Sequence, residues 1–227
     1  MGNKGVFITG TDTGIGKTWT VRALMYALKS RGMNVSGMKP VASGGVQAGN
    51  SLKNDDALLI QAQCSIEQPY EWVNPYVFAK PVAPHIAAQT TGINIDIGSI
   101  TEAYNNLASR SDFVVVEGVG GWRVPLSDQL STIDMVRALN LPVLLVIGIR
   151  LGCINHALLT AECIRADGIL LSGLVANEVD AGYMYHDQTL QTLSRSINAP
   201  LLGALPYMET CDIAILAANL DVTQILN

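Results

Sequence analysis

The sequence predicts a three-layer α/β fold, a mostly parallel sheet with helices on both faces and a phosphate-binding loop at one edge. Three observations predict it. Short runs that are apolar on both sides recur along the chain, the clearest being Asp112–Glu117 (Asp-Phe-Val-Val-Val-Glu), as expected of parallel strands buried from both faces. Stretches of helical length separate these runs, and that alternation implies strand–helix–strand crossovers. The first run leads straight into a glycine loop that ends in Gly16-Lys17-Thr18 and opens a helix.

Taken in order, Gly5–Thr9 reads as a strand and Lys17–Arg31 as a helix closed by Gly32. Val35–Lys39 is the second strand, followed by a Gly/Ser-rich loop over Ala42–Ser51 and a helix starting at Asp55 or Asp56. The stretch Pro69–Gly98 is rich in Pro and Thr and too weakly periodic to assign. Beyond the strand Asp112–Glu117, two more strands are expected at Pro142–Gly148 and Gly168–Ala176. Helices are expected at Thr132–Leu139, Asn155–Arg165 and about His186–Ile197, then a short strand Leu201–Leu205 and a last helix. No internal repeat, low-complexity tract or dividing linker is visible, so residues 1–227 read as a single domain.

Composition bounds the function. Against 19 Asp+Glu stand 14 Lys+Arg, a net charge of −5, which argues against a generic nucleic-acid-binding surface. Charged residues make up only 15% of the chain, below the roughly 25% of an ordinary soluble domain. The 49% hydrophobic content must therefore be largely buried, and a chain of this length hides about 70% of its unfolded surface. Mean hydropathy is +0.29, yet the longest apolar run, Leu141–Ile149, holds nine residues including a proline. A membrane-spanning helix needs about 20. The first residues fit neither a secretory signal nor a myristoylation site, and the four cysteines form no Cys-x-x-Cys pair. The expectation is a cytoplasmic protein with reduced thiols and no membrane partner.

The segment Gly10-Thr11-Asp12-Thr13-Gly14-Ile15-Gly16-Lys17-Thr18 is a P-loop in its proper context, strand before and helix after. Backbone N–H groups of such a loop face phosphate oxygens, helped by the positive end of the helix dipole. Lys17 would reach the terminal phosphates and the Thr18 hydroxyl would ligate a divalent cation. Thr11 stands where the standard pattern has its first glycine.

Three further residues have two readings each. Glu117 ends a buried strand before Gly118-Val119-Gly120-Gly121, so it either faces the ligand crevice at the carboxyl edge of the sheet or is a solvated strand end. Asp56 is a metal carboxylate or a helix N-cap. Lys39 is a surface charge or, beside a P-loop, a second clamp on a transferred phosphoryl group.

Together these residues resemble the dethiobiotin synthetase family. The resemblance rests on Gly-Thr-Asp-Thr-x-x-Gly-Lys-Thr at 10–18, Lys-Pro-Val-Ala-Ser-Gly at 39–44, Asn-Pro-Tyr at 74–76 and Pro-His-Ile at 84–86. It continues through Val-Glu-Gly-Val-Gly-Gly-Trp at 116–122, Pro-Leu-Ser-Asp at 125–128, Leu-Gly-Cys-Ile-Asn-His-Ala at 151–157 and Val-Ala-Asn at 175–177.

The resemblance implies an ATP- and Mg²⁺-dependent enzyme that converts 7,8-diaminopelargonate and CO₂ to dethiobiotin. Lys39 and Lys17 match catalytic positions; Thr18, Asp56 and Glu117 match the Mg²⁺ ligands. Nucleotide contacts are implied for Gly14, Ile15, Gly16, Trp19, Gly118, Val119, Gly120, Asn177, Glu178, Pro206, Tyr207 and Met208. Substrate contacts are implied for Thr13 and Ser43, and, across a homodimer interface, for Leu151, Gly152, Cys153 and Asn155. Read as residues alone, Cys153 is a packed small thiol. The chain departs from the family at Gly14, where an acidic residue is common, and at Thr189, where an aromatic is common and Tyr185 is the nearby substitute. The other reading is a partitioning-type nucleotide-switch ATPase; those carry a second lysine early in the loop, where this chain has Asp12.

Overall fold

A computed structural model describes residues 5–226; the first four residues of the Met1–Val6 run, on which the lipidation reading rests, lie outside them. The strands are β1 (Gly5–Gly10), β2 (Val35–Met38), β3 (Val41–Ser43), β4 (Val46–Ala48), β5 (Ser51–Lys53), β6 (Tyr76–Phe78), β7 (Phe113–Glu117), β8 (Val143–Ile149), β9 (Leu171–Glu178) and β10 (Leu201–Leu205). The helices are α1 (Lys17–Lys29), α2 (Asp55–Gln63), α3 (Tyr70–Val73), α4 (Pro84–Thr91), α5 (Ile97–Ser109), α6 (Thr132–Leu139), α7 (Cys153–Ala166), α8 (His186–Ser196) and α9 (Ile213–Ala218).

Six strands form one parallel sheet in the order β10-β9-β8-β1-β7-β2. The residues of β1, β7 and β8 are buried throughout, which explains why these strands read as unbroken apolar runs. The chain steps from β1 to β2 in one direction and from β2 through β7, β8 and β9 to β10 in the other. Right-handed crossovers then put the connecting helices on opposite faces. Accordingly α1 packs against α2 and α9, while α5 packs against α6 and α7 against α8. Phe7, Ile8, Leu24, Met25 and Leu28 are completely or almost completely enclosed between sheet and helices. No helix among the described residues is long and apolar enough to cross a membrane.

The predicted strands and helices all occur, with boundary shifts that have local causes. The helix expected to reach Arg31 ends at Lys29, and Gly32 lies beyond it at φ +83°. Gly168 belongs not to a strand but to the left-handed turn after α7, at φ +73°, so β9 starts later and runs on to Glu178. The Ala42–Ser51 segment is not simply a loop. It holds the end of β3, which pairs with β6, and most of an exposed antiparallel hairpin, β4–β5, turned at Gly49-Asn50. The unassigned Pro69–Gly98 stretch contains α3, β6, α4 and the start of α5.

Candidate active site

All six sheet strands end at one edge, and there the predicted residues converge on a cleft of about 850 Å³. Thr13, Gly14, Gly16, Lys17, Thr18, Trp19, Lys39, Ser43, Asp56, Glu117, Gly118, Val119, Gly120, Asn177, Glu178, Tyr207 and Met208 all line it. Register explains part of this, because Ile8 pairs with Glu117, so the loop after β1 rises beside the end of β7.

The phosphate loop is tied to its surroundings by Arg150 and Asn177. Asp12 Oδ1 accepts from the Thr13 N–H at 2.7 Å, and its Oδ2 meets Arg150 at 2.8 Å. The Asn177 Nδ2 donates to the Ile15 carbonyl at 2.8 Å, tying the loop to the end of β9. Gly14 and Gly16 take φ values of +72° and +83°, a region other residues rarely adopt. Lys17 turns back over the loop, its Nζ donating to the Asp12 carbonyl at 2.7 Å. Burial pulls this ammonium down to about 8, although Glu117 pulls it the other way.

Opposite the loop lies a compact charge cluster. Lys39, only 6% exposed, places its Nζ 2.5 Å from Glu117 Oε1 and 2.8 Å from Asp56 Oδ2. Burial disfavours the ammonium, but Glu117 and Asp56 outweigh it and hold Lys39 above the ordinary lysine value. Glu117 itself is pushed above the usual carboxylate range, first by burial and then by Asp56, with Lys39 drawing it back. The surface-charge reading of Lys39 and the solvated-end reading of Glu117 are thereby excluded.

The N-cap reading of Asp56 also fails. Asn54 caps α2, accepting from the Ala57 N–H at 3.2 Å, which leaves the Asp56 carboxylate for Lys39.

These residues fit a magnesium ion. Thr18 Oγ1 lies 3.0 Å from Glu117 Oε1, and Glu117 Oε2 is buried without a hydrogen-bond partner. Hydroxyl and carboxylate oxygens are the hard donors that Mg²⁺ takes, with the rest of its shell from water and phosphates. No group of three His, Cys, Asp or Glu side chains comes together among the described residues, so water and phosphates would have to complete the shell.

Some expected residues lie elsewhere. Ile15 is 2% exposed and packs in the core, so only its backbone serves the loop, and Pro206 does not line the cleft. Leu151, Gly152 and Asn155 are exposed outside the cleft, Leu151 at 88%. Cys153 is 3% exposed and packed within its own chain, as expected of a small thiol read as a residue alone. Near Thr189 the aromatic hydroxyl belongs to Tyr183, 2.9 Å away, and not to the exposed Tyr185.

Sequence reading missed the wall formed by Pro81, Val82, Ala83 and Pro84. Its signal was the proline spacing that precedes α4. It also missed the anchor of the glycine loop after β7. There Trp122, 3% exposed, donates its indole N–H to Asp167 Oδ2 at 2.8 Å, and Arg123 meets Oδ1 at 3.1 Å. Asp167→Ala leaves that enclosed N–H without a partner. We expect a loss of about 1–3 kcal/mol in urea unfolding; an unchanged midpoint would remove the anchor role.

A parallel sheet that delivers Lys17 and Thr18 from a glycine loop toward an acid-ended neighbouring strand defines a P-loop nucleotide-binding protein. Comparison with known proteins agrees. Residues 4–214 match a family described as an AAA domain. A ParA family ATPase from Chlorobium tepidum shares the fold at a TM-score of 0.54 and 12% identity, over 92% of this chain and 86% of that one. MinD from Aquifex aeolicus does so at 0.52 and 14%, over 90% and 82%.

Sequence relatives are more specific. ATP-dependent dethiobiotin synthetase BioD from Pseudomonas aeruginosa is 47% identical over 95% of both chains. The proteins of that name from Aromatoleum aromaticum and Nitrosospira multiformis are 47% and 46% identical, over 94% and 98% of this chain and 95% and 96% of their own. The chain belongs to the dethiobiotin synthetase family.

Proposed function

We propose that this protein is an ATP-dependent cyclo-ligase that converts 7,8-diaminopelargonate and CO₂ to dethiobiotin, with release of ADP and phosphate. One observation carries the reading beyond family membership. A buried ammonium, Lys39, stands between two carboxylates directly across from the phosphate loop, where charge passes from ATP to an acceptor.

An amine of the substrate adds to CO₂ and loses a proton, giving a carbamate anion. The carbamate oxygen attacks the γ-phosphorus and the bond to the β-phosphate oxygen breaks, leaving ADP and a carbamic–phosphoric anhydride. Two anions must approach nearly in line for this, so positioning and charge neutralisation dominate. Lys17 holds the terminal phosphates, Lys39 neutralises the transferred group, and the loop N–H groups orient the chain of phosphates. Bound to Thr18, Asp56 and Glu117, Mg²⁺ would supply further neutralisation of phosphate charge. The second amine of the same molecule then attacks the carbonyl carbon, phosphate leaves, and a five-membered cyclic urea closes. Being intramolecular, that closure draws on effective molarities of about 10⁵ M or more. No nucleophilic side chain is required, which fits the enclosed position of Cys153.

Asn177 uses one of its two Nδ2 hydrogens on the loop, so its oxygen and the second N–H are what it offers a nucleotide base, with Glu178, Tyr207 and Met208 as neighbours on the cleft wall. Thr13 and Ser43 are read as substrate contacts on the opposite side. We further read the chain as one domain over residues 1–227, acting in the cytoplasm as a homodimer. The exposed Leu151, at 88%, supports a partner surface at the start of α7.

The test is direct. With MgATP, bicarbonate and 7,8-diaminopelargonate, ADP and dethiobiotin form in equal amounts, and chelating the divalent cation stops both. ATP turnover indifferent to the diamine would favour the nucleotide-switch reading instead.

A further inference from the structure

Tyr70 and the Asn-Pro-Tyr run at 74–76 lie outside the phosphate loop, yet they join the two elements that carry Lys39 and Asp56. The Tyr70 hydroxyl accepts from the Asn54 backbone N–H at 2.8 Å and donates to Asn74 Oδ1 at 2.8 Å. Asn74, 2% exposed, donates in turn from Nδ2 to the Lys39 carbonyl at 2.7 Å and to the Tyr76 carbonyl at 3.0 Å. The Lys39 N–H donates to the Val73 carbonyl at 2.7 Å, so the lysine backbone is gripped on both sides by one short segment. At the other end Asn54 caps the helix that bears Asp56, and its Nδ2 reaches the Ser43 carbonyl at 3.3 Å.

A single phenolic hydroxyl thus links the backbone of Lys39 to the residue that fixes both Asp56 and Ser43. We propose that Tyr70 is a positioning residue for the reaction, holding the Lys39 strand end in register with the N-terminus of α2 so that ammonium and carboxylate meet opposite the phosphate loop. This rests on the reading of Lys39 as the catalytic lysine. The hydroxyl is separable from the rest of the side chain. The ring has its own contact, with the Lys53 Nζ 3.4 Å from its centroid, and phenylalanine keeps that ring. Only a group that accepts and donates at once can stand between an N–H and a carboxamide oxygen. A shift of about an ångström in a reacting group costs up to roughly a hundredfold in rate.

The test compares Tyr70→Phe, Lys39→Gln and the double variant, with turnover expressed per nucleotide-binding site so that any unfolded fraction drops out. Tyr70→Phe is expected to lower kcat roughly tenfold or more while the KM for ATP stays within about twofold, because the hydroxyl touches no part of the phosphate loop. In the Lys39→Gln background the same substitution is expected to cost little more, since its effect passes through Lys39. Asn74→Asp, which keeps the acceptor for Tyr70 but loses the donors to Lys39 and Tyr76, should repeat the kcat-only pattern. Wild-type kcat in Tyr70→Phe beside an inactive Lys39→Gln overturns the positioning role and leaves the catalytic reading standing. A parallel rise in the KM for ATP, or full additivity in the double variant, overturns it as well. Wild-type turnover in Lys39→Gln removes the catalytic reading, and the positioning role falls with it.

Discussion

Replacing Lys39 by glutamine is expected to cut turnover by about two to three orders of magnitude, with ATP affinity changed by less than about threefold. The structure separates the two effects. Nucleotide phosphates have their own cation in Lys17, their own backbone donors and the N-terminus of α1, none of which touches Lys39 directly. Lys39 instead faces Asp56 and Glu117 at 2.8 and 2.5 Å, and its charge matters most when negative charge gathers on the transferring group. Glutamine keeps a hydrogen-bond donor but removes the charge that compensates the buried Glu117, so turnover is compared per nucleotide-binding site to separate the loss of charge from any loss of fold. Steady-state turnover and equilibrium binding of a non-hydrolysable ATP analogue measure the two quantities apart. A variant that turns over like the parent, or one that loses both together, would sink the assignment.

Gly16→Ala is expected to weaken nucleotide binding by about a hundredfold or more and to cost about 1–3 kcal/mol of stability. Two penalties meet at this position. Its φ of +83° is poorly tolerated by any residue with a side chain, and an added Cβ would run into the Asn177 amide that holds the Ile15 carbonyl. Gly14 is the internal control. Its φ is +72°, but no atom lies within 4 Å of where a Cβ would stand, so Gly14→Ala pays only the backbone strain, about 1 kcal/mol. Urea unfolding and analogue binding on both variants check the difference. Equal effects at the two glycines would mean the Asn177 contact is immaterial. A Gly16→Ala/Asn177→Ala double variant is expected to recover part of the stability.

The sheet was legible in the sequence because its central strands are buried from both sides and leave no alternation to misread. The P-loop was legible because its glycines, Lys17 and Thr18 are adjacent in the chain. Harder to read was everything whose meaning depends on a distant partner. Asp56 looks like a cap until Asn54 is seen to be the cap, and Lys39 looks like a surface charge until Glu117, from a strand 78 residues later, is seen beside it. Two misses had local signals. The hairpin β4–β5 turns on Gly49-Asn50, a two-residue turn pair. Helix α5 has apolar residues at Ile97, Ile100, Tyr104 and Leu107 after the capping Asp96, an i, i+3, i+7 spacing obscured by the proline-rich stretch before it. The Cys153 enclosure agrees with the residue read alone as a packed small thiol, although its helix begins at Cys153 and not at Asn155.

The position of β1 in the sheet has a consequence for how the protein comes into being. Its neighbours on either side are β7 and β8, so the strand that launches the phosphate loop has neither sheet partner until residues 113–117 and then 143–149 have been made. At a synthesis rate of roughly 5–20 residues per second, β1 leaves the ribosome on the order of ten seconds before both partners exist. During that interval Phe7 and Ile8, wholly enclosed in the finished sheet, stand on an edge open to chaperones and to other nascent chains. The phosphate loop waits as well, because the Thr11 N–H has its partner, the Val146 carbonyl at 3.1 Å, only once β8 is made.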